Sequence, residues 1–239
     1  MTRSDDPTAA APSPASPRNL ALFDLDGTLI ASDSDHAFGE FMVRVGWADG
    51  AAWQARNDEF FRSYQAGARD VPAYIEFATS VWRARPEPEL AAMRERFMRE
   101  VIGPLLEERA YELVRAHQQA GDLCAIVTAT NEFVTRPIAD ALGVAELLAI
   151  ELERDERGAV TGAIRGVPTY QDGKVHRVGE WLAAQGQGWG DFARISVYSD
   201  STNDLPLLAR ATDPVATNPS AALEAVARER GWRLLRLFE

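Results

Sequence analysis

Residues 19–30 read NLALFDLDGTLI. Four apolar residues, Leu20 to Phe23, end abruptly in two carboxylates, Asp24 and Asp26, with Gly27 and Thr28 behind them. So short an apolar run, with no alternation, suits a strand buried on both faces, as in a parallel sheet. The acids then fall at its C-terminal end, where open α/β sheets place their ligands. A strand's period of two would turn both side chains to the same side. Paired acids repel, and a cation would relieve them. A calcium loop is excluded, because counting from Asp24 its glycine and glutamate positions hold Leu29 and Asp35. A plain surface turn is the blander reading, and it leaves the polar clusters at the ends of two later apolar runs unexplained.

The remaining chain supports such a sheet. Strand-like runs near 123–127, 145–153, 193–198, 213–216 and 232–237 alternate with helical stretches, the pattern of a doubly wound parallel sheet. Segment 159–164 reads as a short antiparallel partner across the turn at 154–158. Between residues 35 and 104 there is no convincing strand. Helical blocks at 36–46, 51–66, 71–83 and 87–102 carry many aromatics and are punctuated by Pro72, Pro86, Pro88 and Pro104. A further block, 105–120, rejoins the core. The expected organisation is a tail at 1–17, a core formed by 18–34 and 105–239, and a helical cap at 35–104. Ser32 or Ser34 is the expected N-cap of the first inserted helix.

Charge narrows the partners. A net charge of -11 argues against a general affinity for nucleic acid or anionic membrane. No apolar run reaches the roughly 18 residues of a membrane helix. The tail, rich in Ala, Pro and Ser, lacks the apolar stretch of a secretory signal. The lone cysteine, Cys124, permits no internal disulfide and reads as a small hydrophobe. A reducing cytoplasm is the expected compartment.

Among 25 basic residues one is a lysine, Lys174; all the others are arginine. A lysine kept against that bias marks a place where a slim point charge is wanted rather than a wide planar fork. It opens the helix that comes after Asp172-Gly173, between strands ending in Thr128 and in the cluster Ser199-Asp200-Ser201-Thr202-Asn203-Asp204. These strand ends converge on one crevice in a doubly wound sheet. Acids, a hydroxyl and a lysine together suit phosphoryl transfer. Hard oxygens hold Mg²⁺, one carboxylate attacks phosphorus, and a second moves the proton.

DLDGT, Thr128, Lys174 and SDSTND, in that order, resemble the four motifs of the haloacid-dehalogenase (HAD) superfamily, and the resemblance runs from about residue 19 to the C-terminus. It implies a Rossmann-like fold with an inserted α-helical cap of the phosphoserine-phosphatase-like kind. It also implies residue roles. Asp24 is the nucleophile and a metal ligand. Asp26 is the general acid/base, its backbone carbonyl binding Mg²⁺, and Asp200 is a further metal ligand. Thr128 bonds a phosphoryl oxygen. Lys174 steadies Asp24 and the phosphoryl group. Asp204 holds Lys174 or a metal-bound water, and Asn203 touches phosphate or substrate. Ser199 stands where many relatives carry glycine, a change of little expected consequence.

The stretches DSDHAFGEF, TATNEFVTRPIA and YSDSTNDLPLL are similar, more narrowly, to bacterial HAD phosphatases acting on histidinol phosphate. The expected partner is a small phosphorylated metabolite, with phosphoserine as the alternative substrate. Asp33 or Asp35 would meet the ammonium that the two share, unless both merely cap a helix. Phosphoserine also needs an arginine for its carboxylate, and nothing in the sequence aims Arg56 or Arg62 at the site. The three histidines, His36, His117 and His176, are too scattered for a zinc site. A phosphotransferase and a non-catalytic sensor of phosphorylated metabolites are the readings of other classes.

Overall fold

A computed structural model describes residues 18–238; the expected tail at 1–17 lies outside them. Six parallel strands form the central sheet: β1 (Leu20–Phe23), β2 (Leu123–Asn131), β3 (Glu146–Ile150), β6 (Ile195–Ser199), β7 (Asp213–Thr217) and β8 (Arg233–Leu235). Their spatial order is β3-β2-β1-β6-β7-β8. The chain works outward from β1 in one direction, then crosses back to the other side of it. Between β1 and β6 lies the topological switch point, where such sheets open a crevice at the strands' carboxyl ends.

Both faces of the sheet are covered, and β1 shows why its sequence lacks alternation. Ala21 and Phe23 point into one core, and Leu20 and Leu22 into another. Helices α5 (Glu108–Gln119) and α6 (Glu132–Ala141) cover the first face through Val114 and Ile138. On the second, α7 (Asp172–Ala184), α8 (Leu205–Leu208) and α9 (Ala221–Arg230) contribute Leu182, Leu207 and Leu223.

Four helices fill the insertion: α1 (Ser34–Arg44), α2 (Gly50–Gln65), α3 (Val71–Ser80) and α4 (Glu87–Phe97). A π-helical turn at Met98–Ile102 continues α4, so the expected block 87–102 is one rod with a widened last turn. The N-cap of α1 is Asp33, which accepts from the His36 amide at 2.7 Å, in place of the serines expected there. The inserted aromatics join the core of the first sheet face. Phe38, Phe41, Trp82 and Phe97 are all buried, and Trp82 stacks on Phe133 of α6 at 3.9 Å.

One strand expectation is corrected. Residues 145–153 do not form a single strand. They divide into β3 and β4 (Leu152–Arg154), and β4 pairs antiparallel with β5 (Val160–Ile164) in a separate ribbon. The break falls at Glu151, where the apolar run Leu147–Ile150 ends and a polar alternation begins, so the change of pattern there marks where the chain leaves the sheet. The ribbon packs on α3, where Gly162 has φ of +98° and a Cβ would meet the Arg83 guanidinium at 2.0 Å.

Candidate active site

The paired acids are not placed by the pleat of one continuous strand. The Asp24 amide still bonds to the Tyr198 carbonyl at 2.9 Å, extending the ladder by one residue. The backbone then turns, and the Leu25 carbonyl accepts from the amides of Thr28, Leu29 and Ile30. Asp26 therefore lies beyond β1, in an isolated bridge to Ile30 that opens the turn at 27–29, a correction to the expected strand position. Gly27, at φ +72°, brings the backbone so close to Asp200 that a Cβ there would lie 2.5 Å from a carboxylate oxygen. Asn218 pins this loop, donating to the carbonyls of Gly27 and Thr28 at 3.0 and 3.1 Å.

Lys174 is the hub. Its Nζ donates to Asp24 Oδ1 at 2.9 Å and to Asp204 Oδ2 at 2.7 Å, with its side chain 1% exposed. Burial alone would lower the ammonium pKa, but Asp204 and Asp24 outweigh it and raise it, so Lys174 is held charged. Ser199 donates to Asp204 at 2.8 Å, so the hydroxyl in a place expected to matter little helps to fix the carboxylate that holds the lysine.

Asp26 is gripped on both oxygens, by the Ser34 amide at 2.7 Å and the Thr130 hydroxyl at 2.8 Å. Burial foremost, then the charge of Asp33, push its pKa up to about 6, against the pull of those bonds. Asp200 meets the Thr28 hydroxyl at 3.4 Å; burial and the neighbouring Asp204 raise it to about 7. Asp24 is also raised, by burial first, with Lys174 opposing and Asp204, Asp200 and Asp26 adding to the rise. Two of these carboxylates, Asp24 and Asp204, hold the Lys174 ammonium directly.

The other expected residues divide. Thr128 is 1% exposed and its hydroxyl accepts from the Thr130 amide at 3.1 Å. Asn203 reaches the inserted helices, donating to the Tyr64 carbonyl at 3.0 Å. Gln171, at φ +50°, donates beside it to the Gly67 carbonyl at 3.1 Å. Asp33 spends one oxygen on its cap. Asp35 caps nothing: it is buried, accepts from Asn131 at 3.3 Å and lies 3.7 Å from Arg69. Arg56 pairs with Glu59 on an exposed face. His117 is locked between Asp122 and Tyr198, and His36 stacks on Phe61.

Sequence reasoning missed Thr130, Asn218, Gln171, Tyr64 and Arg69. Thr130 lies one strand period beyond Thr128, a usable signal. Arg69 is buried against the faces of Tyr64 and Tyr74 at 4.4 and 4.2 Å, a place no local pattern marks. The partly buried Tyr64 phenol keeps its proton, chiefly through burial and then the charge of Asp24 and Asp204.

Among the described residues, no three His, Cys, Asp or Glu side chains gather into a ready metal cage. Mg²⁺ does not require one, since it keeps several waters and takes one or two carboxylates. Two features fit such an ion. Asp24 Oδ2 is buried with no hydrogen-bond partner. The surrounding donors are hard oxygens in excess over positive charge.

The haloacid dehalogenase-like hydrolase family matches residues 21–209, and the chain belongs to it. It is 39% identical to a histidinol-phosphatase of Neisseria meningitidis over 91% of this chain and 98% of that one. It is 32% identical to the phosphoserine phosphatase SerB1 of Mycobacterium tuberculosis, over 95% and 75% respectively. A Bordetella pertussis crystal structure of unknown function, 47% identical, superposes with a TM-score of 0.87 over 93% of this chain and all of that one. A substrate-bound phosphoserine phosphatase, 16% identical, shares the fold at a TM-score of 0.64 over 91% and 92%. Family and relatives place the enzyme class as phosphatase.

Proposed function

We propose that the chain is a Mg²⁺-dependent phosphomonoesterase that works through an aspartyl-phosphate and acts on histidinol phosphate. The carrying observation is Lys174 bridging Asp24 and Asp204 while the second oxygen of Asp24 has no protein partner. Asp24, Asp200 and the backbone carbonyl of Asp26 would hold the ion. It supplies positive charge to the nucleophile and the phosphoryl oxygens in a site otherwise too acidic for a phosphate dianion.

The chain's own groups divide the chemistry. An Asp24 carboxylate oxygen attacks phosphorus as the P–O bond to the leaving alcohol breaks. Asp26, entering as the carboxylic acid, gives that oxygen its proton. As the carboxylate, it then takes a proton from the water that attacks the phospho-aspartate, regenerating Asp24 and releasing phosphate. A pKa of about 6 suits a group that must be acid in one step and base in the next near neutral pH. Lys174 stabilises phosphoryl charge in both steps, with Thr128 and Asn203 bonding phosphate or substrate oxygens. The Asn203 and Gln171 contacts to the inserted helices shield the reaction from bulk water.

The Neisseria relative supports histidinol phosphate. Phosphoserine has its own support: Arg69, a buried guanidinium beside Tyr64, is the kind of group that its carboxylate needs. However, Arg69 already faces Asp35. The deciding experiment compares kcat/KM for the two esters with Mg²⁺ present and no alcohol acceptor. A preference for histidinol phosphate with release of inorganic phosphate is expected; a preference for phosphoserine would reverse the assignment. Turnover only with an added acceptor would make the enzyme a phosphotransferase, and none on any ester would make it a sensor.

A further inference from the structure

We propose that the cleft between α4, α6 and the β4–β5 ribbon binds a small polyanion carrying two or more phosphate or carboxylate groups. The cleft measures about 440 Å³, within the roughly 300–1,000 Å³ range of small-molecule sites. Its charged lining is Arg83, Arg85, Arg94, Arg154 and Arg157, against Glu87 alone. That is a sharp local reversal in a chain of net charge -11. None of these side chains belongs to the catalytic set.

Four of the five arginines already meet one carboxylate each. Arg83 meets Glu76 at 2.6 Å, Arg94 meets Glu87 at 2.9 Å, Arg85 meets Glu89 at 3.4 Å and Arg154 meets Glu132 at 3.5 Å. Among the described residues, the Arg157 guanidinium has no ion-pair partner, although its backbone amide donates to Asp155 at 2.9 Å. Even with these partners counted, the arginines outnumber the acids. Each guanidinium presents five N–H donors and a planar fork that matches phosphate or carboxylate oxygens. Pairs this exposed are individually weak, each worth about 0–1 kcal/mol, so an incoming anion loses little by competing with them. Two further clefts, lined in part by Arg94 and Arg136, adjoin the first and share Arg94 with it.

The arginines are also set for specific recognition. Arg94 lies over the Phe133 ring at 4.8 Å and Arg85 over Trp47 at 4.0 Å, which limits their rotamers. Trp82, which forms part of the wall, also lines the small closed cavity beside Asp35. The anion cleft and this cavity therefore share one indole.

The test is calorimetric titration of the full chain with tripolyphosphate and, separately, with citrate. It is run at physiological ionic strength, with saturating inorganic phosphate to occupy the phosphoester site. The comparison variant is Arg154→Gln/Arg157→Gln, two exposed changes on the ribbon that should leave kcat/KM unaltered. Saturable binding of either anion that weakens by about tenfold or more in the variant is expected, since two charge-assisted contacts are lost. The responding anion identifies which oxygen acid the cleft prefers. If neither binds at up to about 1 mM, or binding is undiminished in the variant, the proposal is overturned.

Discussion

At the scale of single residues, the site's chemistry rests on side chains whose substitution has distinct consequences. Asp24→Asn keeps the shape and removes the charge of the proposed nucleophile. Turnover should fall below detection while circular dichroism is unchanged; ordinary turnover would refute the mechanism. Lys174→Arg keeps charge but puts a planar fork where one Nζ serves two carboxylates at 2.9 and 2.7 Å in a fully packed site. A loss of roughly 10²-fold or more in kcat is expected, because misplacement of about 1 Å has that cost. Thr130→Val is subtler. The Thr130 hydroxyl lowers the pKa of Asp26, so its loss should raise that pKa above about 6. The pH–rate profile should then move to higher pH with little change in KM. An unshifted profile would mean that this bond merely fills space. The sequence made Asp24, Asp26 and Asp200 legible because carboxylates following apolar strands have no packing role to explain them, and Lys174 because it is the one lysine among 25 basic residues. Thr130 and Arg69 were not legible. A threonine in a strand is ordinary, and Arg69 matters only through the aromatic faces brought to it from α2 and α3.

At the scale of elements, the sheet was legible for the same reason that β1 was: short apolar runs buried on both faces and separated by helical periods. What was read as one strand is broken at Glu151, a single charged residue after which the chain leaves the sheet for the antiparallel ribbon. The pattern did not show how the insertion is held. Asn203 and Gln171 grip the carbonyls of Tyr64 and Gly67 at the end of α2, linking it to the loops beside α7 and α8. Each bond should contribute about 0.5–1.5 kcal/mol. Gln171→Ala should therefore raise hydrogen exchange and proteolysis around residues 62–70 while leaving the sheet's protection intact. Uniformly faster exchange throughout would indicate global destabilisation instead. Gly162→Ala tests the other side of the insertion. Its φ of +98° opposes a methyl group, while the Arg83 guanidinium that the methyl would meet can move aside. A loss of about 1–3 kcal/mol is expected from the backbone conformation alone, measured by denaturant midpoint.

At the scale of the whole molecule, the active site should run against ordinary acid denaturation. Asp26, Asp35 and Asp200 have folded-state pKa values of about 6, 7 and 7, and Asp24 is raised as well. Unfolded carboxylates titrate near ~4. Between those values the folded state binds more protons than the unfolded one, so the stability of metal-free protein falls as pH rises from about 4 to about 7. Each group contributes at most ~1.4 kcal/mol per pH unit. The surface acids Glu76, Glu100 and Glu224 have lowered values and act in the opposite sense, but they are exposed and screened, so their effect is small. Asp200→Asn separates these contributions. It removes one half-buried charge beside Asp204 and one candidate ligand of the ion. With metal chelated at pH 8, the variant should melt above wild type, and its melting temperature should vary less between pH 5 and 8. Added Mg²⁺ should raise the melting temperature of wild type by binding the folded state alone, and leave that of the variant nearly unchanged. If Mg²⁺ stabilises both proteins equally, Asp200 is not its ligand. If the metal-free variant is the less stable at pH 8, the carboxylates are not in electrostatic conflict and the case for a cation between them fails.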